Sequence, residues 1–315
     1  MLIPSSQWQG RTDNEDGASG IRWHQHINST QYKDADAVLM GFACDIGVAN
    51  NKGRVGAKAG PDNARHAMAN SAWHLSKTLF DAGDIVAKDE LEAAQQEFAQ
   101  HVSKFIADGR FVLGIGGGHE MAWASYLGVS QALHETVGIV NIDAHFDLRK
   151  PAPQCSSGTP FYQAWQYNQQ HGKIFDYTCL GVAKTANTRA LFERAERANV
   201  QYVLDRDCSF ESLTTAISNV LERVDVLYLT VCLDAFNASS APGVSAPSAL
   251  GVDVGLILRV IDWLGGAVQA YGVNWAMADI AELNPTFDID QRTAKLTARL
   301  ANDILDARFT ACTLK

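Results

Sequence analysis

The sequence lacks the features that mark membrane, secreted and repetitive proteins. It has no run of roughly 18 or more apolar residues, which argues against a transmembrane helix. Its first six residues include no basic segment followed by an apolar one, which argues against a signal peptide. Its six cysteines are scattered and form no CxxC pair, so they predict reduced thiols in a cytoplasmic protein and argue against a disulfide framework. No internal repeat or low-complexity segment interrupts the chain.

Basic residues are also in short supply. The chain has 26 Lys and Arg residues and 35 Asp and Glu residues, which gives a formal net charge of −9. Proteins that bind nucleic acid usually present a basic face, so this balance argues against a nucleic-acid partner. Apolar residues make up 47% of the 315-residue chain, which is enough for a sizeable core. We predict a single domain over residues 1–315, with residues 1–35 packed on its outside.

Short runs rich in Val, Ile and Leu alternate with stretches of helical periodicity. The runs predict strands buried on both faces of a parallel sheet, at Ala37–Ala43, Phe111–Ile115, Val137–Ile142, Tyr177–Val182, Tyr202–Leu204, Val226–Val231 and Val273–Ile280. The other stretches predict helices at Pro61–Asn70, Leu91–Ala107, Glu120–Leu133, Arg189–Ala198, Glu211–Leu221, Asp253–Leu264 and Arg292–Leu305. This alternation is typical of a doubly wound α/β domain, in which ligands bind beyond the carboxyl ends of the strands. Functional side chains are therefore expected in the loops that follow the strands.

The loop after the third predicted strand carries potential metal ligands at every second position, namely Asp143, His145 and Asp147. In an extended chain these side chains point to the same side. Clustered carboxylates repel each other unless a cation neutralises them. Oxygen ligands with some imidazole suit Mn, Fe, Co or Zn better than metals that prefer thiolates. The alternative interpretation is a solvated acidic turn.

Three other predicted strands lead to residues of the same kind. A turn of three glycines precedes His119, and it lacks the spacing of a nucleotide-binding loop. Cys232 and Asp234 alternate after the sixth predicted strand, Val226–Val231, and the last strand leads to Glu282. Each of these residues, taken alone, could be a turn residue or a helix cap. Together, the four strand ends predict a metal site.

This combination resembles the ureohydrolase superfamily of arginases, agmatinases and formimidoylglutamases. The most specific motif is Asp143-Ala144-His145-Phe146-Asp147, and the likeness extends from residue 53 to Pro285. The Gly-Gly-Gly-His-Glu turn at 116–120 and the Ser-Gly-Thr-Pro-Phe loop at 157–161 are similar to the formimidoylglutamase branch. The resemblance implies a three-layer α-β-α fold with a mainly parallel, roughly eight-stranded sheet.

The resemblance also implies a centre of two Mn²⁺ ions. Asp143 would bridge the ions, with His119 and Asp147 on one ion and His145 and Asp234 on the other. The ions would activate a shared water as hydroxide for attack on the C=N carbon of N-formimidoyl-L-glutamate. The products would be formamide and L-glutamate, in the degradation of histidine. Glu282 would face the cationic amidino group, and Asp147 would pass a proton to the departing amine.

The substrate carries two carboxylates, so its pocket is expected to offer a cation. Arg149, directly after the metal-binding loop, could grip a carboxylate with two hydrogen bonds, although a structural ion pair is the alternative. Ser157 and Asn187 are candidate hydrogen-bond donors to the glutamate part. Arginases have a histidine at the position aligned with Ser157, and its loss argues against arginine as the substrate.

Cys232 departs from the family pattern, because the family has an aspartate there that bridges the two metals. A thiolate is softer than a carboxylate and is a poorer match for Mn²⁺. The site could keep both ions with Cys232 as a ligand, or it could bind metal weakly or hold one ion only. Alternatively, Cys232 could be a redox control point. Cys44, at the end of a first strand expected near the sheet centre, is then the hypothesised disulfide partner.

Three functions therefore stay open from the sequence. The leading hypothesis is an enzyme that hydrolyses N-formimidoyl-L-glutamate, and the nearest rival is an agmatinase or another guanidino or amidino hydrolase. Arg149 separates these two, because a cation near the pocket repels a cationic tail and attracts a carboxylate. Because of Cys232, the third hypothesis is a metal-poor, non-catalytic relative that only binds a ligand. The sequence has no motif that selects an oligomeric state, so a homo-oligomer also stays open.

Overall fold

The computed structural model describes residues 2–28 and 30–310, and these form one sheet of eight parallel strands. The strands are β1 (Ala37–Ala43), β2 (Leu79–Val86), β3 (Phe111–Gly116), β4 (Val137–Ile142), β5 (Asp176–Val182), β6 (Gln201–Leu204), β7 (Val226–Cys232) and β8 (Asn274–Ala281). Their order across the sheet is β2-β1-β3-β8-β7-β4-β5-β6. This confirms the predicted α/β class and the eight-stranded sheet.

Helices cover both faces of this sheet. The α-helices are α1 (Trp23–His26), α2 (Ile46–Asn50), α3 (Gly60–Ala69), α4 (Leu91–Ala107), α5 (Met121–Ala132), α6 (Pro160–His171), α7 (Arg189–Arg197), α8 (Phe210–Leu221), α9 (Val254–Tyr271) and α10 (Arg292–Phe309). Because successive strand residues point to opposite faces of the sheet, their side chains contribute to two separate hydrophobic cores. Leu39 belongs to the core that includes residues of helices α3, α8, α9 and α10, whereas Met40 belongs to the core that includes residues of α4 to α7.

Seven of the eight strands coincide with predicted runs, and β2 does not. Asp81, Gly83 and Asp84 interrupt its apolar pattern, although the two aspartates are buried. Their charges are paired with Arg65 of α3, which the local sequence of β2 cannot reveal. Within the N-terminal segment that we expected on the outside, Trp23 is fully buried and its ring contacts Trp73.

Helix α9 is long and apolar enough, by length and composition alone, to cross a membrane. Its packing gives a different reason for that composition. One side of α9 is buried, including Ile257, Val260, Ile261 and Leu264, and the helix contacts α8, α10 and β8. A helix that covers a central sheet needs such an apolar surface.

The register of the sheet brings the ends of four central strands to the same level. Ile115 of β3 lies opposite Ile280 of β8, which lies opposite Val231 of β7, which in turn lies opposite Ile142 of β4. These strands are consecutive neighbours in the sheet. The residues that follow them therefore converge at one edge, where parallel sheets commonly bind ligands.

Candidate metal centre

The loops after β3 and β4 bring His119, Asp143 and Asp147 into contact. The His119 Nδ1 atom lies 2.9 Å from Asp147 Oδ2 and 3.0 Å from Asp143 Oδ2. Its other ring nitrogen lies 3.0 Å from the Thr230 hydroxyl on β7, which orients the ring. In metal sites the second ring nitrogen of a ligating histidine is commonly held by a hydrogen bond in this way, while the first faces the metal.

The residues at the end of β7 complete the cluster. His145 Nδ1 lies 3.2 Å from Asp234 Oδ2 and 3.5 Å from Asp143 Oδ1. Two overlapping groups have ligand atoms within 4.8 Å of one another: His119, Asp143 and Cys232 form one, and Asp143, His145 and Asp234 form the other. Asp143 belongs to both groups. The structure thus brings together all six residues predicted as ligands, with Asp147 in contact with His119.

Two buried carboxylate oxygens in this cluster have no hydrogen-bond partner among the described residues. They are Asp234 Oδ1 and Glu282 Oε2. A buried anionic oxygen without a partner is costly, and a bound cation removes that cost. The donor set of carboxylates and imidazoles suits a divalent metal of the Mn to Zn series. The residues present therefore fit a metal centre.

Burial and mutual repulsion shift the acidity of the cluster. Burial raises the pKa of Asp147 to about 6, with a further contribution from the neighbouring charge of Asp143. Burial opposes ionisation of Asp143 as well, but hydrogen bonds from His119 and His145 outweigh it and lower the pKa of this carboxyl. Burial, followed by the charges of nearby carboxylates, raises the pKa of the Cys232 thiol well above its usual value. In the absence of a cation, Cys232 is therefore a neutral thiol.

Glu282 lies at the base of the same site, after β8. One of its oxygens accepts a hydrogen bond of 2.9 Å from the backbone N–H of His119. Burial, with smaller contributions from the charges of Asp234 and Glu120, raises its pKa to about 8. Glu282 and Asp147 both have positive φ angles, of 75° and 47°, which non-glycine residues seldom adopt. Such strain is concentrated at functional sites.

A cavity of about 280 Å³ opens above the cluster. Its lining includes His119, His145, Asp147, Cys232, Asp234 and Glu282, together with the predicted substrate residues Arg149 and Ser157. Arg149 is exposed, and among the described residues its guanidinium has no carboxylate or hydrogen-bond partner. The structural ion pair considered for Arg149 is therefore not formed. Ser157 accepts a hydrogen bond of 3.1 Å from Asn51.

The substrate-binding role predicted for Asn187 does not fit its surroundings. Its side-chain oxygen accepts from the Phe146 N–H, and its amide nitrogen donates to the carbonyls of Ala144 and Ala183. The side chain is buried and does not line the cavity. Asn187 therefore holds the loop that carries His145, which makes it a positioning residue.

The hypothesised Cys44–Cys232 disulfide is not formed, since both residues are buried free thiols. The expectation that the first strand lies near the sheet centre is wrong: β1 is second from the edge, and β3 and β8 separate it from β7. Strands three positions apart have backbones about 14 Å apart. Forming the bond would require the backbone after β1 to move toward β7. Cys312 lies outside the described residues.

Glu120 is a buried residue of this region that the sequence did not single out as functional. Its carboxylate accepts a hydrogen bond of 2.9 Å from the Gly47 N–H, and burial raises its pKa to about 7. A Cβ at Gly118 would lie 2.0 Å from Glu120 Oε2, so the glycine turn leaves room for this side chain. A signal was available, because Glu120 ends the Gly-Gly-Gly-His-Glu turn at 116–120 on which the family resemblance partly rests.

Comparisons with known proteins agree with this geometry. A model of the arginase family matches residues 35–306. The chain is 44% identical over 303 residues to a formimidoylglutamase of Hahella chejuensis, covering 93% of this chain and 92% of that protein. It is 45% identical over 327 residues to a formimidoylglutamase of Vibrio vulnificus, covering 95% and 94%.

Solved structures show the same fold at lower sequence identity. The formiminoglutamase of Trypanosoma cruzi with Mn²⁺ superposes with a TM-score of 0.82 at 24% identity, covering 92% of this chain and 99% of that one. An arginase of Bacillus subtilis superposes with a TM-score of 0.73 at 21% identity, covering 85% and 98%. The family match and the relatives at 44–45% identity together make the chain a hydrolase. The chain belongs to the arginase family.

Proposed function

We propose that this chain hydrolyses N-formimidoyl-L-glutamate. Water adds to the formimidoyl carbon, and the bond from that carbon to the glutamate nitrogen breaks, which gives formamide and L-glutamate. The observation that carries the proposal is the separation of charge in the cavity: carboxylates lie at its base and the unpaired Arg149 lies at its mouth. The substrate has the complementary arrangement, with a cationic amidine at one end and two carboxylates at the other.

The metal is proposed to be Mn²⁺, held by His119, Asp143, His145, Asp147, Cys232 and Asp234. When bound, a pair of such ions supplies a water of lowered pKa as the nucleophile. Support comes from the two overlapping ligand groups and from the Mn²⁺ in the Trypanosoma cruzi relative. Cys232 belongs to one of these groups, which supports its assignment as a ligand in place of the aspartate of the family pattern.

The remaining chemistry is assigned to the chain's own side chains. Glu282 accepts a hydrogen bond from the protonated amidine and holds its carbon over the ligand cluster. Asp147, which lies 2.9 Å from His119 Nδ1 and lines the cavity, gives a proton to the departing glutamate nitrogen. Arg149 binds a substrate carboxylate, and Ser157 donates a hydrogen bond beside it. The five free thiols within residues 2–28 and 30–310 fit the proposed cytoplasmic location.

The test measures product release by reduced protein with added Mn²⁺: formamide from N-formimidoyl-L-glutamate, and urea from agmatine and arginine. N-formimidoyl-L-glutamate, agmatine and arginine are compared at equal concentrations. We expect turnover of the first substrate and little of the other two. Agmatine and arginine both carry a cationic amine at the end opposite the guanidino group, where it would face Arg149, and agmatine also has no carboxylate. Faster hydrolysis of agmatine than of N-formimidoyl-L-glutamate would overturn the proposal and favour an agmatinase.

A further inference from the structure

Lys52 is a second cation at the mouth of the cavity. It follows α2 and, like Arg149, lines both the 280 Å³ cavity and an adjoining one of about 450 Å³. Its side chain is exposed and, among the described residues, has no carboxylate or hydrogen-bond partner. The outer cavity also includes Lys150 and Arg194, and no Asp or Glu within the described part of the chain lines it. The mouth is therefore cationic in a protein whose net charge is −9.

Lys52 and Arg149 lie on segments that contact each other. Asn51, next to Lys52, donates a hydrogen bond of 3.1 Å to Ser157. The neighbouring Gly158 packs closely on Arg149, since a Cβ there would lie 2.8 Å from Arg149 Cδ and 3.3 Å from the Asn51 amide nitrogen. The two cations thus belong to one wall of the cavity.

The backbone of Lys52 is unusual in the same way as that of the residues at the cavity base. Its φ angle is 61°, and the Lys52 N–H donates to the Ala49 carbonyl to end α2. Seven non-glycine residues of the described chain have positive φ, and Lys52, Asp147 and Glu282 among them line this cavity. Glycine or asparagine adopts such a conformation at less cost, and non-glycine residues with positive φ are concentrated at functional sites.

We infer that Lys52 binds one carboxylate of the substrate while Arg149 binds the other, so that the pair selects a dicarboxylate. The inference rests on the proposed function. Arg149 alone leaves one of the two carboxylates without a cation, and Lys52 is the second unpaired cation that lines the same cavity. A lysine ammonium and a carboxylate form a charge-assisted hydrogen bond, which is stronger than a neutral one.

The test compares Lys52→Met with wild type in the formamide assay. We expect KM for N-formimidoyl-L-glutamate to rise about 10- to 100-fold, as the loss of a charge-assisted contact implies, while kcat changes little. Lys52→Arg should restore much of the affinity. Lys88→Met is the matched control, because Lys88 is exposed and outside both cavity linings. It should keep the wild-type KM.

A truncated substrate assigns the carboxylates. N-formimidoylglycine keeps one carboxylate and lacks the other, so wild type should prefer the dicarboxylate. One of the two variants Lys52→Met and Arg149→Met should lose this preference. That variant identifies the cation that binds the carboxylate absent from N-formimidoylglycine. An unchanged KM in Lys52→Met, or a loss confined to kcat, would overturn the inference. If wild type releases no formamide at all, the proposed function itself is wrong.

Discussion

The molecule contains two clusters of buried charge that differ in how they are neutralised. In the first, the fully buried Arg65 donates to Asp81 at 2.8 and 2.9 Å and to Asp84 at 2.6 Å. In the second, at the strand ends, the carboxylates of the metal centre meet two histidines and no Arg or Lys side chain among the described residues. The first cluster is complete within the protein.

The difference separates a structural from a functional cluster. The Arg65 guanidinium supplies the positive charge that its carboxylates need, so nothing else has to bind. At the strand ends, Asp234 and Glu282 each keep a buried oxygen without a partner in the described chain. Buried carboxylate oxygens that lack a partner within the protein favour the binding of a cation from outside it. Both clusters are buried, so burial alone does not distinguish them.

The largest expected effect comes from the residue shared by both ligand groups. Asp143→Asn removes a charge that both metal positions use, so we expect loss of bound Mn²⁺ and of measurable formamide release. Metal content is measured by atomic absorption after dialysis, and turnover by the formamide assay. Asp89→Asn, an exposed aspartate outside the cavity lining, is the matched control. Normal turnover by Asp143→Asn would refute the metal assignment.

The next effect falls on stability and not on chemistry. Arg65→Met leaves Asp81 and Asp84 buried without their cation, so we expect a loss of about 3–5 kcal/mol in the free energy of unfolding. Urea titration measures it, while metal content and turnover per folded molecule should stay near wild type. Arg299→Met breaks an exposed pair with Asp303 and should change stability little. A loss of bound Mn²⁺ in folded Arg65→Met would break the distinction between the two clusters.

Cys232 allows a smaller and opposite change at the metal centre. Cys232→Asp replaces a thiol by a harder oxygen ligand, so we expect Mn²⁺ affinity to rise about tenfold, the scale typical of changes around a metal. Mn²⁺ titration followed by electron paramagnetic resonance measures the Kd. Cys208→Ala is the control, because this thiol donates to the Leu204 carbonyl and lies outside the cavity lining and both ligand groups. An unchanged Kd in Cys232→Asp would mean that the thiol position is not a ligand position.

The sequence predicted the functional cluster better than the structural one. His119, the Asp143–Asp147 motif, Asp234 and Glu282 each follow an apolar strand, and parallel strands must end at a common edge. Strand β2 was missed because the partner of its aspartates, Arg65, lies on α3, and local pattern carries no information on such pairing.

Neighbour relations between strands were equally hidden from the sequence. Cys44 and Cys232 both follow buried strands, but only the sheet order shows that two other strands lie between them. Lys52 was missed for a related reason. A lysine in a polar turn gives no sign of function until the fold places it beside Arg149 and leaves it unpaired. What the sequence predicts well is therefore position along a strand, and what it predicts poorly is contact between distant segments.

The smallest expected effect concerns stability. It tests whether the buried carboxylate of Glu282, without a cation beside it, destabilises the metal-free protein. The pKa of Glu282 is raised to about 8, so the fold favours its neutral form. That contribution to stability is fully present below the unfolded-state pKa, and it is lost as the pH rises through about 8. Glu282→Gln is neutral at every pH, so we expect its metal-free form to melt a few degrees above wild type near pH 9 and much closer to it near pH 6.

Differential scanning calorimetry after chelation measures this difference, and the comparison of Tm at the two pH values isolates the carboxyl group. Glu135→Gln, an exposed glutamate outside the cavity, should show no such pH-dependent gain. The same Glu282→Gln variant should lose turnover in the presence of Mn²⁺, because the amidine loses its anionic partner. A variant that is more stable and less active would show that this carboxylate is kept for function at a cost to the fold. If Glu282→Gln and wild type instead have equal Tm values at both pH 6 and pH 9, the charge of Glu282 is stabilised within the protein, like the charges of the aspartates around Arg65.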